Sequence, residues 1–177
     1  MADDWTTKIN TGVPNPVRIY DYMRAVVQGG DLDQSSEEVG RRVRLRMARQ
    51  IVLTREQPPR LWAVVDEAAL RRPVGGREVM RGQLERLIEA TKLPNVTLQV
   101  LPFDAGAHPA MVGSFSVLRF PEEELPDMVY LKHLTSALYL NKPEEVDHYL
   151  HVMESICVRA APPDQTVALL DKILEEL

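Results

Sequence analysis

What the chain lacks narrows its class first. It has one cysteine, Cys157, so no intrachain disulfide is available, and a stapled extracellular scaffold gives way to the expectation of a reducing cytoplasm. No apolar run approaches the roughly 18 residues of a membrane span. The opening segment, with Asp3 and Asp4 and no apolar stretch, does not read as a signal peptide. Positive charge is also short: 21 Lys and Arg against 26 Asp and Glu leave a net charge of -5. Phosphate affinity comes from neutralising cations, so no direct nucleic-acid binding is expected. Glycine-rich phosphate loops, a dinucleotide fingerprint, a nucleophile elbow and cysteine sets for zinc or iron–sulfur are all missing, so no cofactor and no metal is expected.

What remains is an ordinary globular composition, 45% hydrophobic and 27% charged over 177 residues. It excludes a disordered tail or a collagen-like repeat, and a length near about 150 residues favours one domain with room for a core. Residues 1–16, rich in Thr, Asn, Gly and Pro, read as an extended N-terminal arm, and residues 17–177 as one α+β domain. A short helix is expected from Val17 to Val27, closed by Gly29 and Gly30 in left-handed backbone. Ser35 and Glu38 have capping-box spacing, opening a helix to about Thr54.

Leu61–Val65 reads as a buried strand after Pro58 and Pro59, and Asp66–Leu70 as a turn of helix. Arg77–Thr91 carries a helical stripe, with Gly82 reserved for close packing. Val96–Val100 alternates as a half-buried strand, followed by strands near Ser114–Phe120, Met128–Lys132 and Ala137–Leu140, whose short separations favour antiparallel pairing. Two helices close the chain, one with Pro143 in its first turn and one capped by Asp164. The fold expected is a small, mostly antiparallel sheet packed with N-terminal and C-terminal helices.

Several residues carry chemistry. The long loop from Phe103 to Gly113 sets Asp104 and His108 close together, suited to proton transfer or to holding a polar ligand; an Asx-type turn at Asp104 is the structural alternative. Lys132 and His133 stand side by side. Glu144, His148 and His151 share helical spacing that imitates a metal site without a full ligand set, and solvated histidines are expected instead. Cys157 sits on an apolar stripe without a base and reads as packing. Arg41, Arg42, Arg44, Arg46 and Arg49 form either a phosphate or acidic-partner patch, or a solvated face paired with nearby acids; the acidic region before them favours the latter.

Longer runs carry a family resemblance: Arg49-Gln50, Asp66 to Gly76, Met80 with Gln83 to Leu87, Leu93 to Val96 and Val100 to Pro109. Gly113 to Phe115, Leu118 to Phe120, Pro126-Asp127, Val129-Tyr130 and Ala137 to Leu140 continue it. From Glu38 to Leu174 the chain resembles the antitoxin-like effector domain, of unknown function, behind Xre-type helix-turn-helices in actinobacterial regulators. The resemblance implies a cytoplasmic α+β domain that senses a small molecule or binds a partner protein. Here only a short arm precedes it, with no recognisable helix-turn-helix. Where the family tends to carry an acid after Val-Tyr-Leu, this chain has Lys132, which reverses the charge. A shorter stretch, Val13 to Tyr22, resembles the opening of predicted S-adenosylmethionine-dependent methyltransferases; without their glycine-glycine-lysine continuation no methyl transfer is expected.

Two functions follow as expectations. One is a stand-alone ligand-sensing or protein-interaction domain, with a small molecule, a partner protein or a second copy of the chain as its contact. The other is a cofactor-independent cyclase or isomerase of specialised metabolism that uses a repurposed sensor pocket, with Asp104, His108, Lys132 and His133 as working groups and Glu67 and Arg71 as supports.

Overall fold

Apolar runs flanked by turn residues organise the molecule around a mixed sheet. A computed structural model describes the backbone of residues 5–10, and backbone and side chains of residues 13–30, 35–122, 124–133 and 135–177. The strands are β1 (Trp5–Asn10), β2 (Arg60–Asp66), β3 (Val96–Leu101), β4 (Phe115–Leu118), β5 (Met128–Lys132) and β6 (Ala137–Leu140). The helices are α1 (Tyr20–Gly29), α2 (Ser36–Ala48), α3 (Glu67–Arg71), α4 (Arg77–Ala90), α5 (Pro143–Arg159) and α6 (Thr166–Glu176). The sheet order is β3-β2-β1-β4-β5-β6.

The α+β class and the mostly antiparallel sheet both hold: β1 pairs antiparallel with β4, β4 with β5, and β5 with β6. The other two pairings, β1 with β2 and β2 with β3, are parallel. Chain length decides which is which. The connections carrying α1 with α2, and α3 with α4, are long enough for crossovers, whereas the links around β5 permit only return strands.

The expected N-terminal arm is corrected. Its extended backbone is present over Trp5–Asn10, but as the strand between β2 and β4, bonded on both sides. Its Thr-rich composition suits a strand as well as a free segment, and the partners that decide lie far along the chain. Positions 1–4 and 11–12 of that arm lie outside the described residues.

Helices cover both faces. On the first, Leu61, Ala63 and Val65 of β2 and Val96, Leu98 and Val100 of β3 meet Met80, Leu84 and Leu87 of α4 and Leu170 and Ile173 of α6. On the second, Val64, Phe115, Val117 and Val129 meet Val146, Met153 and Ile156 of α5. Because both faces are covered, β3 is not half-buried as its alternation suggests: Gln99 is buried too. Its amide is satisfied, accepting from Trp62 Nε1 at 2.8 Å and donating to the Cys157 and Ala161 carbonyls at 3.2 and 3.0 Å. A third cluster, Met23, Val27, Val39 and Val43, joins α1 to α2.

Local expectations differ in three further places. Ser35 caps α2 through the Glu38 N–H, but the Glu38 carboxylate turns to Arg41 and Arg42 rather than back to the cap, leaving half a capping box. α1 ends at Gly30 with φ of -91°, not in left-handed backbone. Asp164 sits in a 3-10 turn before α6 and caps nothing, while Thr166 donates to the Leu98 carbonyl at 2.7 Å and ties the helix start to β3. Gly82 does mark a close approach: a Cβ there would stand 3.3 Å from Ile19 Cδ1. Gly75, at φ of +75°, would set a Cβ 2.9 Å from Val79 and 3.1 Å from Ala25, so both its conformation and its space require glycine. Among the described residues no helix is long and apolar enough to cross a membrane.

One buried amide joins α4 to the segment after β1. Gln83, fully buried, accepts from the Ile19 N–H at 2.9 Å and donates to the Val17 carbonyl at 2.8 Å. Replacing it with the similarly shaped methionine strands both backbone groups, at roughly 1–3 kcal/mol each. Urea unfolding of Gln83→Met should show a loss of about 2–4 kcal/mol; a loss below about 0.5 kcal/mol would refute this anchoring role.

Candidate functional site

The sheet order places a crevice where the chain reverses direction across the sheet. β2 and β3 add to one side of β1 in parallel and β4 adds to the other antiparallel, so the carboxyl end of β1 and the start of β4 meet at one end of the sheet. Register puts Phe115 of β4 beside Ile9 near the carboxyl end of β1, and Leu131 of β5 beside Phe115. Beyond this edge lies a cavity of about 260 Å³, lined by Asn15 and Arg18 after β1, Arg46 of α2, Ser116 of β4, and Tyr130 and Lys132 of β5.

The segment bearing Arg18 is fixed from both sides. Gln83 holds the peptide groups of Val17 and Ile19, and Gln50 donates to the Arg18 and Asn15 carbonyls at 2.6 and 3.0 Å. The guanidinium donates to the Val13 carbonyl at 2.6 Å and lies over Tyr22 at 5.8 Å from the ring centroid. Arg46, half-buried on α2, lines the same cavity. Among the described residues neither Arg18, Arg46 nor Lys132 has an ion-pair partner.

Electrostatics follow from that arrangement. Burial pushes Arg18 down to about 10, with Arg46 adding repulsion against the Tyr22 effect. Desolvation lowers Arg46, helped by Arg42 and Arg49. Lys132 is likewise lowered from 10.5, first by desolvation and then by Arg46, Arg18 and Arg42. All three cations are disfavoured in their charged form first by lost water; Arg46 adds to the effect at Arg18, and Arg46 and Arg18 add to it at Lys132. An anion between them relieves both costs.

A second cavity of about 350 Å³ opens on the α5 face of the sheet, opposite the first; Ser114, Phe115 and Lys132, at the strand ends between them, line both. Its walls are more apolar, with Leu131, Tyr149 and Val152 beside Phe115, and the polar groups His133 and His148 at its margin. Phe115 and Tyr149 meet edge to face at 4.9 Å.

The six residues singled out from sequence fall in three places. Lys132 lines the cationic cavity and, with its neighbour His133, the apolar one. His108 leaves its loop neighbour Asp104 and approaches Asp66 at the end of β2, Nε2 to Oδ2 at 3.5 Å, while its Nδ1 is buried without a partner. Asp66 also caps α3 through the Ala68 N–H at 2.8 Å. Asp104 lines a separate cavity of about 290 Å³ with Glu67 and Arg71. There Glu67 accepts from Arg71 at 2.6 Å and from the Phe103 N–H at 2.9 Å, and Arg71 reaches Glu176 at 2.6 Å, so the pair fastens α6 and the loop after β3 to α3. The long loop itself packs beneath α5, with Ala110 buried and Arg159 donating to the Ala107 carbonyl at 2.7 Å.

Arg18, Asn15, Ser116 and Tyr130 were not legible as site residues, because only the strand order brings them together. Arg46 was visible within its arginine run. Of that run, Arg41 and Arg42 are the members that pair with an acid, Glu38, whose carboxyl they hold down at about 2. His151 is exposed, His148 borders the apolar cavity, and among the described residues no group of three or more His, Cys, Asp or Glu is placed to hold a metal ion.

Cys157 is half-buried on α5, and burial with Glu154 nearby pushes its thiol up to about 11. Its thiolate is scarce at neutral pH. Iodoacetamide alkylation, followed by mass spectrometry, should be slow at pH 8 and accelerate towards pH 11; reaction at pH 8 as fast as free cysteine would contradict the burial.

A family model described as a domain of unknown function, DUF5753, matches residues 2–172. No curated protein and no solved structure matches the chain. The match spans the whole sheet and both crevice walls, so the chain belongs to the DUF5753 family.

Proposed function

We propose that this chain is a ligand-sensing effector domain of the Xre-regulator lineage, and that the small molecule it senses is an anion held at the β1–β4 reversal. One observation carries the reading: Arg18, Arg46 and Lys132 line one cavity, and among the described residues that line it there is no carboxylate. Leaving the half-buried Arg18 and Arg46 unpaired is costly, and a bound phosphate or carboxylate offsets it with charge-assisted hydrogen bonds, to which the more exposed Lys132 adds its charge. Tyr130 and Ser116 add hydroxyls, which discriminate among anions by geometry. The net charge of -5 supports a small anion over a polyanion, so the domain acts through its ligand or a protein contact rather than by gripping DNA itself.

Catalysis is the second reading, favoured by His133 and His148 at the margin of the cavity on the α5 face, where imidazoles serve proton transfer in a cofactor-independent cyclisation or isomerisation. It requires that a molecule held in the crevice be chemically changed. Incubating a bound anion with the protein and with His133→Asn, then comparing products by mass spectrometry, separates the two: an unaltered molecule in both contradicts catalysis.

For the sensing function, inorganic phosphate should raise the melting temperature at neutral pH. Arg46→Ala should weaken the effect roughly tenfold or more in concentration, since a hydrogen bond to a charged group is worth about 1.5–3 kcal/mol. Lys132→Glu should abolish it. Because desolvation and the neighbouring arginines lower Lys132 below the usual lysine value, while the guanidinium groups keep their charge, affinity should weaken in the alkaline range as Lys132 loses its proton. Unchanged phosphate binding by Lys132→Glu, or tight duplex DNA binding at physiological salt, would overturn the proposal.

A further inference from the structure

The two outer edges of the sheet are treated differently. At one, the Leu61 N–H takes the Asn95 carbonyl, so alternate residues of β3 face β2 while Leu98 and Val100 face away. Their carbonyls are nonetheless satisfied: Thr166 Oγ1 donates to Leu98 at 2.7 Å and the Ala161 N–H to Val100 at 2.9 Å. At the other edge nothing among the described residues lies beyond β6, and Ala137, Leu138 and Tyr139 are exposed. We infer that this edge pairs with the same edge of a second copy of the chain, antiparallel about Leu138, so that one continuous sheet runs through a dimer. The inference does not depend on the anion-sensing reading.

Backbone alternation fixes which groups are open. The His133 N–H donates to the Ser136 carbonyl at 2.9 Å across the β5–β6 turn, so Leu131 with Leu138 and Val129 with Leu140 are the next bonded pairs. Ala137 and Tyr139 therefore aim their N–H and C=O groups away from β5, where no bond meets them among the described residues. In the antiparallel register centred on Leu138, Ala137 exchanges bonds with the partner's Tyr139 and Tyr139 with the partner's Ala137, so every open group finds its complement. Side chains suit the same register. Leu138, 48% exposed on the face that Leu131 shares with α5, meets the partner's Leu138 in a non-bonded pair, where side chains approach most closely. On the other face the small Ala137 leaves room for the partner's Tyr139. Tyr139 itself stands against Tyr130, ring centroids 5.1 Å apart, so the joint runs beside the cationic cavity that Tyr130 lines. From Thr135 to Asn141 no charged residue opposes another, and β6 has neither the lysine nor the proline that guards a lone edge.

A strand this short buries less than the roughly 1,200 Å² of a standard interface, so the dimer should be weak, with a dissociation constant on the order of micromolar. Sedimentation velocity of the full chain at neutral pH, across that concentration range, should show monomer giving way to dimer. Ala137→Pro removes only an outward N–H at the first residue of the strand, where proline is tolerated, and should abolish the dimer while leaving the monomer's melting temperature nearly unchanged. Leu138→Lys keeps the ladder to β5 but sets like charges against each other across the joint, and should raise the dissociation constant roughly tenfold or more. Mixing it with Leu138→Glu should restore pairing as a heterodimer, which a folding defect would not allow. A wild-type chain that stays monomeric overturns the self-pairing and assigns the edge to a strand of another protein. A dimer that survives both Ala137→Pro and Leu138→Lys overturns it too, by placing the contact elsewhere.

Discussion

The arrangement depends on the buried side chain of Gln83. Its amide bonds the peptide groups on either side of Arg18, and so converts an irregular segment after β1 into a fixed wall of the crevice. Both amide ends are used on backbone, leaving no polar atom of the pair Val17 and Ile19 stranded. The close approach this needs is made possible by Gly82, one residue earlier on α4, where a side chain would press on Ile19. Gln50 secures the same segment from the 3-10 turn that follows α2. An arginine head that is partly buried stays in place only if its backbone cannot retreat towards water, and two glutamines prevent that retreat.

With Arg18 fixed, sheet topology supplies the other walls. Reversal of strand order at β1 brings the start of β4 and the end of β5 to the same edge, and α2 lays Arg46 over it. Lys132 then decides the sign of the site. A carboxylate at this position would pair with Arg18 or Arg46 and neutralise the crevice internally; an ammonium leaves the three cations to be satisfied by something from outside. The same reasoning explains why the Arg71, Glu67 and Glu176 cluster is fastening: its charges already satisfy one another.

Much of the fold was legible from period and punctuation. Leu61–Val65, the Arg77–Thr91 stripe and Pro143 fixed their elements locally, and short links around β5 dictated antiparallel pairing. Residues 1–16 misled because a Thr-rich extended segment reads the same whether it is free or paired, and β1 pairs with residues more than fifty positions away. Within the site, Lys132 and His133 stood out by residue type. Arg18 did not, since a single arginine in a Pro-rich stretch has no local signature and its role arises from Gln50 and Gln83. Both glutamines lay in the runs that carried the family resemblance, where a buried amide cannot be told from a surface one. Asp104 and His108 were paired by proximity in sequence, whereas the turn at Gly106 sends His108 towards Asp66 and leaves Asp104 beside α6.

The central claim, that Arg18 and Arg46 jointly hold an anion, is tested most directly by nitrogen-15 NMR of arginine side chains. During titration with inorganic phosphate, the Nε–H signals of Arg18 and Arg46 should shift together along one saturating curve and become protected from exchange, while that of Arg41, already paired with Glu38, stays in place. Saturating shifts at Arg41 or other surface arginines with none at Arg18 would contradict the account.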